Sequence, residues 1–311
     1  MSMNVLEAGL PPTAEARGRR TSAQSGIRAG RWWTPYLFIV PALGLFGLTF
    51  AWPAVVAIQL AFYNYNVISP PVFVGLDNFV EMFGDPTFYQ ALRNSGIFLI
   101  LYVPLTVVVP LLLAMLVNLK LPGIKVYRAI YYLPVITSMV AVAVAWQYLL
   151  SDRGVINWAL SLVGIPSVSY LLSTTWALPA VVLIESWKSS GLYMLIYLAG
   201  LQAVPTELIE AAKVDGANLL HRIRHVIVPG LRPVFAVTLT LTMLDAMRAF
   251  ESVFILTRGG PQGSTTTLGY YIYEKAFQQH DLGYASAVGL VLWAIMVVLA
   301  LLNLAATRSR E

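Results

Sequence analysis

Six stretches of the chain are apolar over the roughly 20 residues that a helix needs to cross a bilayer. They cover residues 35–62, 96–118, 129–150, 178–201, 233–256 and 285–306. Their hydrophobicity is continuous, without the alternation of a half-buried strand or the single stripe of a surface helix. The pattern predicts an all-α integral membrane protein with about six transmembrane helices. Pro41, Pro53, Pro104 and Pro110 fall in or near spans, where neighbouring helices can satisfy freed backbone groups.

The loops between these stretches set an orientation. With the N-terminus placed inside, the inner segments carry 14 Lys and Arg and the outer loops four, leaving Lys188 and Arg248 within spans. That asymmetry predicts both termini on the cytoplasmic side. It also accounts for the net charge of +5 without nucleic acid, which would call for a basic stripe on one folded surface. Residues 1–31 are polar and arginine-bearing and read as a disordered cytoplasmic tail. The apolar run that follows is too long for a cleaved signal peptide. Residues 307–311 form the matching C-terminal tail.

Composition agrees: 58% of residues are hydrophobic, 11% are charged and mean hydropathy is +0.71. A water-soluble surface needs about twice that charge. There is no cysteine, which removes disulfides, thiolate metal sites and a cysteine nucleophile.

Three segments carry candidate chemistry. The connector at 205–233 is too elaborate for a simple loop. Pro205-Thr206 with Glu207 and Glu210 predicts a helix start, and Gly216 a C-terminal cap. Small residues Ala211, Ala212 and Ala217 leave room for another surface to approach the backbone. The connector therefore suits either docking in another protein's groove or lying at headgroup level. Second, ionisable groups sit inside spans: Glu185 and Lys188 in the fourth, Asp245, Arg248 and Glu251 in the fifth. At mid-helix facing lipid each costs about 2.5–3.5 kcal/mol, so they should pair or face a wet path. The i,i+3 spacings predict Glu185–Lys188, Asp245–Arg248 and Arg248–Glu251 pairs. Trp187, Tyr193 and Tyr197 stand near them and offer flat faces and hydroxyl partners for a sugar. Third, the first outer loop (63–95) is aromatic, which fits an interfacial belt or a docking surface. His221 and His225 have metal-compatible i,i+4 spacing but no third ligand nearby, so a basic helix face is the expectation.

Glu210-Ala211-Ala212, Asp215-Gly216-Ala217, Ile223, Val226, Val228, Pro229 and Pro233 together resemble the EAA loop of ABC importer permeases. Val228 replaces the usual Leu and Ile223 a frequent Phe. Phe73-Val-Gly75-Leu-Asp77-Asn78-Phe79 resembles the first outer loop of the carbohydrate-uptake type. Leu256-Thr-Arg-Gly259-Gly260-Pro261, with Thr265-Thr266-Thr267 and Tyr271-Ile272-Tyr273, resembles the last outer loop of the MalF-like or UgpA-like subunit rather than its MalG-like partner. The resemblance spans about 32–306. It implies a type I ABC importer permease fold with a cytoplasmic coupling helix, in a bacterial or archaeal cytoplasmic membrane. It implies alternating access with a second permease, two ATPase subunits carrying ATP and Mg, and an extracytoplasmic solute-binding protein. This chain would bind no cofactor itself and lacks the G-x-x-x-x-G-K-[ST] phosphate loop of an ATPase. Glu210, Ala211, Ala212, Asp215, Gly216 and Ala217 would couple to the ATPase. Glu185, Trp187, Lys188, Tyr193, Asp245, Arg248 and Glu251 would line the substrate path. The cargo would be a sugar or sugar-like solute, with glycerol 3-phosphate or a glycerophosphodiester as an alternative. An ATP-independent carrier would often show two similar halves, and none is visible. An intramembrane enzyme lacks any H-E-x-x-H or nucleophile elbow.

Overall fold

The computed structural model describes residues 33–119 and 122–308, so the tail at 1–31 and the last three residues lie outside the described residues. Helices dominate: α1 Thr34–Phe46, α2 Trp52–Leu60, α3 Asp77–Gly84, α4 Pro86–Val117, α5 Ile124–Ile136, α6 Met139–Leu149, α7 Val155–Ser161, α8 Ala177–Ala203, α9 Thr206–Val214, α10 Leu219–Arg222, α11 Val228–Gly230, α12 Arg232–Met247, α13 Glu251–Leu256, α14 Leu268–Tyr273 and α15 Leu282–Arg308. One small hairpin pairs β1 (Tyr63–Asn64) antiparallel with β2 (Val72–Phe73), Tyr63 opposite Phe73. Three helical stretches, Tyr36–Leu60, Pro86–Val117 and Leu282–Thr307, are long and apolar enough to cross a membrane; counting bent pairs as single spans raises the number to six.

The chain divides into two units, residues 1–53 and 54–311. The described part of the first is helical and apolar, with Pro41 inside α1 and a π-turn at Gly47–Ala51. The turn has a local cause. Pro53 offers no N–H, and the preceding Trp52 N–H reaches back to the Gly47 carbonyl. The same device recurs at Ile223–Ile227 before Pro229, where Val228 N–H bonds the Ile223 carbonyl.

In the second unit α4 packs against α8 and α12, α5 against α8, and α15 against α12 and α3. One buried cluster joins Phe98 and Tyr102 of α4 to Val181 and Ile184 of α8 and Val253 of α13. A second joins Ala114, Val117, Met194, Tyr197, Leu201 and Leu231. A third brings Phe88, Met247, Tyr271, Tyr284 and Val288 together. Glycines set the closest approaches. A Cβ on Gly191 of α8 would strike the Tyr131 carbonyl of α5, and one on Gly200 would sit 2.6 Å from Val234 Cγ2 of α12.

Two expected spans are not continuous. The third breaks at Thr137-Ser138, and its halves α5 and α6 meet at 99°. Thr137 and Ser138 both have ψ of 137°, and Ser138 Oγ caps α6 by accepting from Val140 N. The fifth is interrupted at Arg248–Phe250, between α12 and α13. The carbonyl freed there does not go unsatisfied: Thr267 Oγ1 donates to Ala249 O at 2.6 Å. Gly269, whose Cβ would lie 3.0 Å from that oxygen, lets α14 approach. Helix α4 begins ten residues before the expected 96, capped by Asp85, which accepts from Thr87 N.

The two loops flanking these helices are knitted down rather than free. Asn78 Nδ2 donates to Ala61 O and Tyr63 O, while Leu282 N donates to Tyr65 O, tying the hairpin to the start of α15. Asn94 Nδ2 donates to Gly263 O and Thr266 O, and Ser95 Oγ accepts from Leu268 N, tying the 257–267 loop to α4.

Candidate functional site

Two separate sites emerge. The first is the connector between α8 and α12. Helix α9 starts at Thr206 after Pro205, with Glu207 in its first turn and Lys213 in its last, each complementing the helix dipole. It ends in a Schellman motif: Ala217 N donates to Ala212 O and Gly216 N to Lys213 O, with Gly216 at φ +80°. A residue with a Cβ would be strained there. The chain restarts at once, because Asn218 caps α10 by accepting from His221 N at 2.8 Å. Glu210, Ala211, Asp215 and Gly216 are exposed; Ala212 and Ala217 are half-buried. Ala212, Asp215, Gly216 and Ala217 line a polar cavity of about 450 Å³ with His221 and His225. The histidine rings stack at 4.0 Å, and His225 Nδ1 is hydrogen-bonded to His221 O. Beside this cavity Leu208, Val214, Leu219 and Leu220 expose most of their apolar surface.

The base of this connector is rigid. Gly200 of α8 abuts Val234 of α12, Gly230 abuts Val204, and Leu231 is fully buried between them. Tyr197 and Phe235 pack edge to face at 5.3 Å.

The second site lies where those helices carry their ionisable groups. Tyr193 OH donates to Asp245 Oδ2 at 2.5 Å, and Asp245 Oδ1 accepts from Arg248 Nη2 at 2.9 Å. Arg248 also reaches Leu244 O through Nε. One turn away Tyr102 of α4 donates to Ser189 Oγ, which donates to the Glu185 carbonyl. Asp245 and Glu185 are half-buried, Arg248 and Glu251 exposed. Of the three expected ion pairs only Asp245–Arg248 forms among the described residues. Arg248 and Glu251 are separated by the helix interruption, so their i,i+3 spacing no longer stacks them. Lys188 forms no close ion pair with Glu185; its Nζ donates to Val135 O of α5 at 3.5 Å. That carbonyl belongs to the last turn of α5, the negative end of its dipole. Lys188 thus neutralises the broken end of the third span. Trp187 faces elsewhere again, against Trp146 and into an apolar cavity of about 420 Å³ with Leu105, Tyr131 and Ser190. The sequence thus placed seven residues on one path, and the structure gathers Tyr193, Asp245, Arg248 and Glu185 on one side while sending Trp187 and Lys188 to the α5 side.

A third cluster escaped sequence reasoning. Asp85 Oδ2 accepts from both Tyr271 and Tyr284, and Lys275 Nζ lies 4.6 Å from the Tyr284 ring centroid. Burial would raise the Asp85 pKa, but hydrogen bonds from Tyr271, the Thr87 amide and Tyr284 together hold it below the usual carboxylate value. The partners are almost 200 residues apart in sequence, and no local spacing could have announced them.

The chain is similar to known proteins. The family model described as "Binding-protein-dependent transport system inner membrane component" matches residues 85–310. The chain is 33% identical to the arabinooligosaccharides transport system permease protein AraP of Halalkalibacterium halodurans, over 87% of this chain and 86% of that one. It is 32% identical to the lactose transport system permease protein LacF of Rhizobium radiobacter, over 89% and 94%. Among solved structures, a chain of a bacterial ABC transporter involved in import of the acidic polysaccharide alginate superposes with a TM-score of 0.79 at 28% identity, covering 89% of this chain and 96% of that one. A related structure holds the alginate transporter in complex with its alginate pentasaccharide-bound periplasmic protein, with a TM-score of 0.76 at 28% identity, covering 87% of this chain and 92% of that one. With its helical fold, its capped connector and its intramembrane polar site, this chain belongs to the family of binding-protein-dependent transport system inner membrane components.

Proposed function

We propose that this permease imports a sugar or sugar-like solute, driven by ATP hydrolysis on two separate ATPase subunits that hold ATP and Mg. The observation that carries the reading is the connector. A short helix with a small-residue face, ended by a left-handed glycine and flanked by exposed Leu208, Val214, Leu219 and Leu220, is built to be covered by another protein. Glu210 and Asp215 supply hydrogen-bond acceptors at its rim. Ala211, Ala212 and Ala217 keep the contact close, and Gly216 permits the turn. Motion of α9 reaches α8 and α12 through the Gly200–Val234 and Val204–Gly230 contacts. Those two helices carry Glu185, Tyr193, Asp245 and Arg248, which with Glu251 form the wet side of the path.

The sugar assignment rests on relatives named for arabinooligosaccharides, lactose and alginate, and on the chemistry of the site. Charged acceptors and donors beside tyrosine hydroxyls make strong hydrogen bonds to a polyol. A second permease completes the path, a solute-binding protein delivers cargo from outside, and both termini lie in the cytoplasm. Co-purification followed by reconstitution tests the proposal. The complex should contain a second permease and an ATPase, and proteoliposomes should take up sugar only with ATP and the loaded binding protein. A panel of oligosaccharides, uronates and glycerophosphodiesters then identifies the cargo. Uptake at full rate by this chain without nucleotide would refute the reading.

A further inference from the structure

The segment joining the third and fourth spans is inside out. From Gly154 to Trp176 it runs 23 residues without one charged side chain, although it lies between membrane helices rather than in one. Its polar anchor points inward. Asn157, 3% exposed, donates through Nδ2 to Ser151 O and Val168 O and accepts from Val168 N, so one side chain closes the whole loop. Ile156, Tyr170 and Leu171 pack on the buried cluster beside it. The apolar side chains left over face outward: Trp158 at 62%, Leu162 at 68%, Val163 at 72%, Leu172 at 78%, with Ile165 and Trp176 half exposed. Isolated exposed apolar residues need no explanation, but a contiguous set marks an interaction surface.

We infer that this segment is an interfacial anchor whose outward face lies in the lipid headgroup layer. Three observations select lipid over a protein partner. Exposed apolar side chains recur at helical spacing on the helices on either side of it: Val140, Val144 and Tyr148 on α6, and Leu183 on α8, seven residues after the N-cap Trp176. Tryptophan stands near each end of the segment, and tryptophan is the side chain that prefers the membrane–water boundary. The segment has no charged side chain of its own and its neighbour Asp152 accepts from Ser169 Oγ, so the face offers a soluble protein little of the electrostatic complementarity that steers encounter and fixes register, while Thr174 and Thr175 supply neutral polar groups that a headgroup layer tolerates. The inference stands whatever solute is carried, so its failure would leave the transport reading intact.

The chain has no cysteine, so a single nitroxide label can be placed on it at a chosen position, with the unsubstituted complex carried through labelling as the background. Leu162→Cys and Val163→Cys are labelled in the assembled complex in phosphatidylcholine–phosphatidylglycerol liposomes. Their collision rates are measured with oxygen and with a water-soluble nickel chelate. The expected result is an oxygen-to-nickel ratio several-fold above that of free label in buffer, unchanged when the solute-binding protein is added. A ratio equal to the free label would overturn the anchor. So would loss of both oxygen and nickel collisions on adding the binding protein, which would make the face a protein dock. As a readout free of labels, brominated lipids should quench native tryptophan fluorescence more in the wild type than in Trp158→Phe; equal quenching would also overturn it.

Discussion

The contact between α5 and α8 can be tested with a single methyl group. Gly191 lies against the α5 backbone: an added Cβ would meet the Tyr131 carbonyl oxygen closer than real Cβ atoms come to any neighbour, and would sit 2.9 Å from Val135 Cγ2 and 3.0 Å from Tyr132 Cα. The obstacles include backbone, so no rotamer change relieves them. Gly191→Ala must push the helices apart by about 1 Å to restore ordinary contact. Overpacking of this kind costs about 1–3 kcal/mol, partly offset by the roughly 1 kcal/mol that alanine gains over glycine in a helix. A net loss of up to about 2 kcal/mol follows. Gly96 of α4 is the matched control. It is also mid-helix, but its added Cβ meets nothing within 4 Å. Gly96→Ala should therefore gain about 0.5–1 kcal/mol. Thermal melting of the complex in nanodiscs reads both, as shifts of opposite sign. The two variants should bracket the wild type. Coincident melting curves, or a more stable Gly191→Ala, would refute the packing argument. Since Lys188 holds Val135 O in the same seam at 3.5 Å, Gly191→Ala should also depress transport.

Two further outcomes follow from other parts of the fold. Asp85 has a folded pKa below its unfolded one, so its clamp on Tyr271 and Tyr284 contributes stability above the unfolded value, and this is lost as pH falls through the folded value. Melting temperature should drop on acidification below about pH 4 in the wild type, and less steeply in Asp85→Asn; parallel curves would show that the clamp is not the titrating element. Gly216→Ala, at φ +80°, should weaken the end of α9 by about 1 kcal/mol and lower transport while leaving membrane insertion unchanged, as measured by uptake against membrane content.

How much of this was legible beforehand depends on the range of the interaction. The apolar runs were read directly, because lipid demands the same property of every residue on a span's surface. The Schellman turn at Gly216 was legible because capping is decided within six residues. The breaks at Thr137-Ser138 and Arg248–Phe250 were not. Neither stretch carries a Gly or Pro at the point where it breaks, and what stabilises the second break is Thr267 Oγ1, 18 residues away. The assumption of continuous helices then misled the ion-pair expectations. Arg248 and Glu251 are i,i+3 only if the helix persists, and Lys188 prefers the open end of α5, which no spacing in α8 could reveal. Trp187 and Tyr193 look equivalent in sequence, but six helical positions put them about 120° apart around the helix, one against Trp146 and one against Asp245.

The most direct measurement concerns Ala212, half-buried at the end of α9 beside the polar cavity. Ala212→Arg places a long charged side chain where another subunit is expected to lie, without touching the spans. Nucleotide-driven uptake in proteoliposomes should fall to background, with the chain still inserted and the second permease still bound. Wild-type uptake by that variant would contradict the account.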